Sequence, residues 1–355
     1  MRISWLKYIL VAFCGLGIAA CSGGGSSFSV LPTSDEFVQD STSFNNKLDI
    51  LFVVNAEPSM SSFQAELAAS FSSFMQLFQT KGFDYKISVI TASAYLADPT
   101  LNGYDPLNID AADFNDFDGI THSNVFVIDP LTPNLFDVFT INAQPDKNPA
   151  GQDGRAFSSF RQALQSNRPI NAGFLRPDSY LAIVIVDNQD DFSGNGRCAG
   201  CSMNQKYNAP TLDALDVYIN FLDTLTGTSG ATARYNVSAM TQIATPCQGG
   251  TNMTRIMDLV NQTNGVLGDI CQADFGASMA DMSNHIAMLS SQFFLDRIPI
   301  EATIAVTVNG VSVPQDAANG WTYDSAANSI VFHGSAIPPQ GASITVDYDP
   351  VSLGS

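Results

Sequence analysis

Basic residues are scarce in this chain. It has 15 Lys and Arg residues against 34 Asp and Glu residues, and only three His residues, which gives a formal net charge of −19. A strongly acidic surface repels the phosphates of nucleic acids and the head groups of anionic lipids. The composition therefore argues against nucleic acid as a partner. It suits a soluble surface domain, including one that holds cations.

Common catalytic motifs are also missing. The sequence has no H-E-x-x-H, G-x-S-x-G, P-loop or G-x-G-x-x-G pattern. Its histidines, His122, His285 and His333, stand in three unrelated contexts. A hydrolase would need a paired acid and base in a cleft, which the sequence does not display. The chain is therefore predicted not to be an enzyme.

An apolar stretch over residues 8–20 follows Arg2 and Lys7 and ends in Ile-Ala-Ala-Cys21. It is too short and wrongly flanked for a transmembrane helix and predicts a secretory signal. Its last four residues resemble the bacterial lipobox, in which the cysteine is lipidated and becomes the mature N-terminus. The resemblance implies lipidation at Cys21, a membrane anchor and, since Ser22 follows, an outer-membrane location. The alternative is an ordinary signal peptide with a chance cysteine.

Four cysteines remain beyond this leader: Cys198, Cys201, Cys247 and Cys271. An even number in an exported chain implies disulfides, with three possible connectivities. We prefer Cys247–Cys271 together with a short Cys198–Cys201 loop. A redox motif or a zinc site is the alternative. However, the C-x-x-C lies in a Gly/Asn-rich loop and does not open a helix, where a thiolate would be stabilised.

Two wholly apolar runs, each ending in a polar loop, give the strongest indication of the fold. Residues 50–54 stop at Asn55 and lead into an amphipathic helix, and residues 181–186 stop at Asp187. Apolar strands that alternate with amphipathic helices predict an α/β domain with a doubly wound, mostly parallel sheet. Ligands of such sheets bind at the carboxyl ends of the strands.

Further elements follow from the same patterns. Strands are predicted at residues 85–91, 125–129, 235–240 and 266–270, a short extended piece at 136–141, and helices at 156–165, 211–225, 254–264 and 276–291. After Phe294 the pattern changes to short alternating strands, with Asn309-Gly310 as a type I′ hairpin signal. The predicted organisation is a signal peptide (1–20), a lipidated cysteine and flexible linker (21–46), an α/β domain (47–293) and a small antiparallel β domain (294–355).

The strand, polar turn and helix that begin at Lys47 resemble the start of von Willebrand factor A (vWA) domains. In that family the strand ends in D-x-S-x-S, which forms a metal-ion-dependent adhesion site with a Thr from a second loop and an Asp from a third. Here the aligned residues read Asn55-Ala-Glu57-Pro-Ser59, so only the last Ser is kept. Asp187 stands at the place of the third-loop Asp. In the second loop no Thr stands at the family's position, although Asp153 or Ser158 could offer oxygen.

The resemblance implies an altered cation site formed by Asn55, Glu57, Ser59 and Asp187. Asp153 and Asp190 are further candidate ligands. Such oxygen ligands suit Mg²⁺, Mn²⁺ or Ca²⁺, and a scaffold without a metal is the alternative. Glu57 could itself take the position of a partner's carboxylate.

These expectations combine into a lipid-anchored cell-envelope protein that binds a protein partner. The loops at residues 55–61, 150–157 and 187–206 would form the interface, with or without a divalent cation. The alternative class is a structural envelope lipoprotein in which the vWA-like domain serves as a metal-free scaffold or spacer.

Overall fold

Five parallel strands form the central sheet of the computed structural model. The structure describes residues 34–35, 46–94, 123, 125–144, 154–165, 173–194, 212–243, 247, 253–272 and 274–351. The first six strands in chain order are β1 (Ser34–Asp35), β2 (Lys47–Val54), β3 (Asp84–Thr91), β4 (Tyr180–Val186), β5 (Tyr235–Thr241) and β6 (Leu267–Asp269). Strands β2 to β6 pair in the order β3-β2-β4-β5-β6. The two apolar runs of the sequence therefore lie side by side in the middle of the sheet.

Helices cover both faces of this sheet. The α-helices of the described residues are α1 (Ser61–Lys81), α2 (Leu135–Asn142), α3 (Ala156–Gln165), α4 (Asp216–Thr226), α5 (Thr254–Gln262) and α6 (Phe275–Ser290). Successive strand side chains point to opposite faces. Ile50 and Phe52 accordingly pack with α1, α2 and α6, whereas Leu51 and Val53 pack with α3, α4 and α5. The prediction of a doubly wound α/β fold is confirmed.

Short antiparallel strands follow the last helix. They are β7 (Phe293–Phe294), β8 (Ala305–Val308), β9 (Val311–Val313), β10 (Trp321–Asp324), β11 (Ser329–Phe332) and β12 (Ile344–Asp347). They form two sheets, of order β10-β11-β7 and β1-β12-β8-β9. The turn between β8 and β9 has positive φ at both Asn309 (51°) and Gly310 (75°), as a type I′ hairpin requires.

The C-terminal strands pack against the end of α1. This helix ends at Gly82, which has a φ of 68°, and Lys81 Nζ donates hydrogen bonds to the carbonyl oxygens of Ser335 and Ile337 over 2.8 and 2.7 Å. The core beneath α1 continues into Phe332 and Ile344. The division into domains at residues 47–293 and 294–355 stays a prediction.

Three sequence predictions differ from the structure. The helix predicted at residues 211–225 begins only at Asp216, and Leu212 forms a bridge with Gly194 instead. The prediction of an extended piece at residues 136–141 is wrong, because this segment lies in helix α2. There the ring of Phe139 stacks on the ring of Phe71, with 3.5 Å between the ring centroids. The edge strand predicted at 125–129 reduces to a single antiparallel bridge between Ile128 and Ile87. No helix among the described residues is both long and apolar enough to cross a bilayer.

Candidate functional site

A row of four polar residues crosses the carboxyl end of the sheet. The row consists of Asn55, Asp187, Thr241 and Asp269, which end or directly follow β2, β4, β5 and β6. The register places these residues beside one another. The backbone N–H groups of Asn55 and Asp187 continue the ladder by donating to Val186 and Met240. Paired residues of neighbouring strands point to the same face, so the sheet itself assembles this polar row.

Asn55 and Asp187 bind each other directly. Asn55 Nδ2 donates to Asp187 Oδ1 over 2.6 Å, and both residues are only 1% exposed. The backbone N–H of Glu57 donates to Asn55 Oδ1 over 2.8 Å, which assigns the orientation of the amide. The N–H of Gln189 also donates to Asp187 Oδ1. Protein donors therefore already bind Asn55 Oδ1 and Asp187 Oδ1, two of the oxygens that the resemblance assigned to a cation.

Burial dominates the acidity of Asp187. Desolvation raises the pKa of Asp187 to about 8, although the hydrogen bonds from Asn55 and Gln189 oppose the shift. The carboxyl group is therefore largely protonated at neutral pH. Gly154 lies so close that a Cβ there would come within 3.3 Å of Asp187 Oδ2. The neighbouring candidate Asp153 lies outside the described residues, as do Cys21, Cys198 and Cys201.

Asn188 is a residue of this site that the sequence reasoning missed. Its side-chain Nδ2 donates to Ser59 Oγ over 3.1 Å, and its backbone carbonyl oxygen accepts from Gln242 Nε2 over 2.6 Å. Asn188 is buried, and its Oδ1 has no hydrogen-bond partner among the described residues. Ser59 is exposed and Glu57 is half-buried. The position of Asn188 directly after Asp187 was the only available sequence signal.

Asp190 and Asp191 accept hydrogen bonds at the starts of two helices and do not contact Asn55. Asp190 accepts hydrogen bonds from the backbone N–H groups of Arg255 and Ile256, at the start of α5. Asp191 Oδ2 accepts from the N–H of Phe157, at the start of α3. The unpaired N–H groups of a helix start favour carboxylates. Two consecutive acidic residues thereby fix two helices to the loop after β4.

The donor set does not match that of a divalent-cation site. Mg²⁺ and Ca²⁺ take oxygen ligands, whereas the atom of Asn55 that lies 2.6 Å from Asp187 Oδ1 is the amide nitrogen, which has no lone pair to offer an ion. The amide of Asn55 also turns its N–H, and not its oxygen, toward Asp187. Among the described residues, no group of three His, Cys, Asp or Glu side chains could hold a metal ion.

A disulfide joins two loops at the same end of the sheet. Cys247, in the connection after β5, is bonded to Cys271, which follows β6, with the Cα atoms 5.6 Å apart. This is the pairing that we preferred from the sequence. It fastens the connection between β5 and α5 beside the polar row.

No protein-family model matches the chain, and no curated protein matches it. Solved structures similar to it include the pilus adhesin SpaC from Lactobacillus rhamnosus GG (11% identity, 85% of this chain, 38% of that chain, TM-score 0.41). Another is the pilus adhesin RrgA from Streptococcus pneumoniae (9% identity, 89% of this chain, 57% of that chain, TM-score 0.32). A third is proximal thread matrix protein 1 from the mussel byssus (10% identity, 75% of this chain, 52% of that chain, TM-score 0.38). The chain spans less than two thirds of each of these proteins. At these TM-scores the similarity does not identify a function.

Proposed function

We propose that this chain is a cell-envelope binding protein, and not an enzyme, that attaches to a protein partner through the carboxyl end of a vWA-like sheet. One observation carries the proposal. Residues 92–134 after β3 and 187–215 after β4 precede the next described helix, and both segments start at the carboxyl end of the sheet, whereas connections at the amino end are as short as 82–83 and 263–266. Segments that join the elements of a rigid scaffold are where binding residues concentrate.

Binding at this end is direct in our proposal and does not pass through a divalent cation. The Asn55–Asp187 hydrogen bond supports this choice, because it satisfies both side chains without an ion. The alternative is binding that depends on Mg²⁺, Mn²⁺ or Ca²⁺. Calorimetric titration of the three cations distinguishes the two: saturable binding that is lost in both Ser59→Ala and Asp187→Ala would establish the cation-dependent alternative.

A photo-crosslinking amino acid placed in the protein in living cells tests the interface. Ser59 is exposed at the carboxyl end, and Thr80 is the matched control because it is exposed near the opposite end, in the last turn of α1. We expect one discrete protein adduct from position 59 and none from position 80, unchanged by EDTA. Equal adducts from both positions, or none from either, would favour the structural-spacer alternative.

The lipid anchor is a separate part of the proposal and has its own test. The Ile-Ala-Ala-Cys21 sequence supports it. Cells that express the parent chain should incorporate a palmitate analogue into it and retain it in the membrane fraction. Cys21→Ala should abolish the label and release the protein. Labelling that persists in Cys21→Ala would contradict the anchor without affecting the binding proposal.

A further inference from the structure

A cavity of about 400 Å³ lies at the amino end of the sheet, opposite to the polar row. Tyr180 and Tyr235, the first residues of β4 and β5, line it, and so do parts of α4, α5, α6, β10 and β11. This volume falls within the range of small-molecule sites in proteins. The cavity is independent of the loops to which we assigned protein binding.

The lining of the cavity combines apolar surface with neutral hydrogen-bonding groups. Ile219, Met288 and Leu289 contribute aliphatic surface beside the two tyrosine rings. Gln262, Asn264 and Gln292 also line the cavity, and their amides both donate and accept hydrogen bonds; the Nε2 of Gln292 already donates to Ser329 Oγ. Among the described lining residues, Asp324 is the sole charged one. Its Oδ1 already accepts from the N–H groups of the turn after β10.

Tyr180 supplies an unpartnered polar group in this cavity. The residue is 7% exposed, and its hydroxyl makes no hydrogen bond with any described residue. The neighbouring Tyr235 differs, because its hydroxyl donates to Asp223 Oδ1 over 2.7 Å. A tyrosine hydroxyl both donates and accepts hydrogen bonds, so the Tyr180 hydroxyl is available to a ligand in the cavity.

We infer that this cavity binds a neutral saccharide of one or two sugar rings. A sugar ring has a face of C–H groups, which suits the tyrosine rings and aliphatic side chains of the lining. Its hydroxyls donate and accept, as the amides and the Tyr180 hydroxyl do. No cationic side chain is present among the described lining residues, so nothing there would compensate the burial of an anionic ligand.

The test uses the purified protein and a panel of glucose, galactose, mannose, N-acetylglucosamine and their disaccharides. Glucuronic acid and glucosamine are the charged counterparts. Saturation-transfer NMR detects binding, and calorimetry measures it. We expect saturable millimolar binding of at least one neutral sugar and weaker binding of both charged sugars. Tyr180→Phe keeps the ring and loses no internal hydrogen bond, so it should fold normally and weaken binding about tenfold.

Two further variants locate the binding. Ala231 lines the cavity and is exposed, so Ala231→Trp should block entry without disturbing the core. Tyr85→Phe is the matched control, because Tyr85 is a buried tyrosine at the start of β3 that does not line the cavity; it should bind as the parent does. The inference is overturned if no sugar of the panel binds or if charged sugars bind equally well. Binding that survives both Tyr180→Phe and Ala231→Trp overturns it too.

Discussion

Asn55 and Asp187 are 132 residues apart in the sequence, yet 2.6 Å separates Asn55 Nδ2 from Asp187 Oδ1. This hydrogen bond joins the carboxyl ends of β2 and β4, the two most apolar strands of the sheet. It pairs an amide with a carboxyl group at the position where the vWA resemblance places two acidic side chains around a cation. We therefore expect the residue at position 55 to determine whether this end of the sheet binds an ion.

Asn55→Asp should convert the contact into a cation-dependent one. Two buried carboxyl groups in contact repel each other when both ionise, so we expect the free energy of unfolding to fall by about 2 kcal/mol in EDTA. Mg²⁺ or Mn²⁺ should recover much of this loss, because the pair now offers oxygen ligands and a bound ion stabilises the folded state. Urea unfolding with EDTA and with each ion measures both effects.

Asn55→Ala is the control for that change. It removes the hydrogen bond to Asp187 without adding a charge, so it should lower the free energy of unfolding and show no response to Mg²⁺ or Mn²⁺. An Asn55→Asp variant as stable as the parent in EDTA would show that the two side chains do not control this end of the sheet.

The sequence predicted the elements whose apolar pattern is regular. Helix α3 has the predicted bounds, 156–165, and the runs at 50–54 and 181–186 lie in β2 and β4. Helix α2 could not be predicted in the same way. Its residues, LFDVFTIN, are largely aromatic and β-branched, which favours a strand. The stacking of Phe139 on Phe71 in α1, a contact between distant segments, favours the helix.

The candidate site was predictable in place but not in detail. The rule that parallel strands end together brings Asn55 and Asp187 to one end of the sheet, and the structure places them in contact. The sequence does not reveal which way the Asn55 amide turns, because the N–H of Glu57 decides it. It also does not show that Asp190 meets the start of α5, since that contact spans more than 60 residues.

Arg176 should be essential for stability at the amino end of the sheet. It binds the buried Asp49 through Nε at 2.8 Å, and its backbone N–H donates to the same carboxylate at 2.7 Å. Arg176→Met leaves Asp49 buried without its cation, which should cost about 3–5 kcal/mol of unfolding free energy in a urea titration. Adding Asp49→Asn to that variant should recover part of the loss. Equal stability of the single and double variants would contradict a buried ion pair.

The Cys247–Cys271 disulfide should contribute measurably to stability. It closes a loop between residues 24 positions apart, so replacing both cysteines with Ser should lower the free energy of unfolding by about 3 kcal/mol. Cys247 is exposed, so a thiol reductant should destabilise the parent protein by more than it destabilises the double variant. If the urea midpoint of the parent protein is the same with and without the reductant, the disulfide does not make this contribution.

The protein should become less stable as the pH rises from about 5 to about 8. Burial raises the pKa of Asp187 to about 8 and that of Asp191 to about 6. It also raises the pKa values of Asp49 and Asp190. A carboxyl group with a raised pKa binds more protons in the folded than in the unfolded state. The stabilisation that such a group gives the folded protein is therefore complete below its pKa in the unfolded state. This stabilisation is lost as the pH rises through the pKa of the group in the folded state. The upper limit is about 1.4 kcal/mol per pH unit for each group.

Asp187→Asn isolates the contribution of the polar row to this pH dependence of stability. An amide at position 187 still accepts the hydrogen bond from Asn55 and does not titrate, so the stability of the variant should decline less steeply between about pH 6 and about pH 8, and the variant should be the more stable protein at the upper end. Ser59→Ala, a change at the same end of the sheet that alters no titrating group, should keep the parent slope. Urea titrations across this range measure all three proteins. A parent stability that rises with pH, or an Asp187→Asn curve parallel to that of the parent, would contradict a protonated Asp187 beside Asn55.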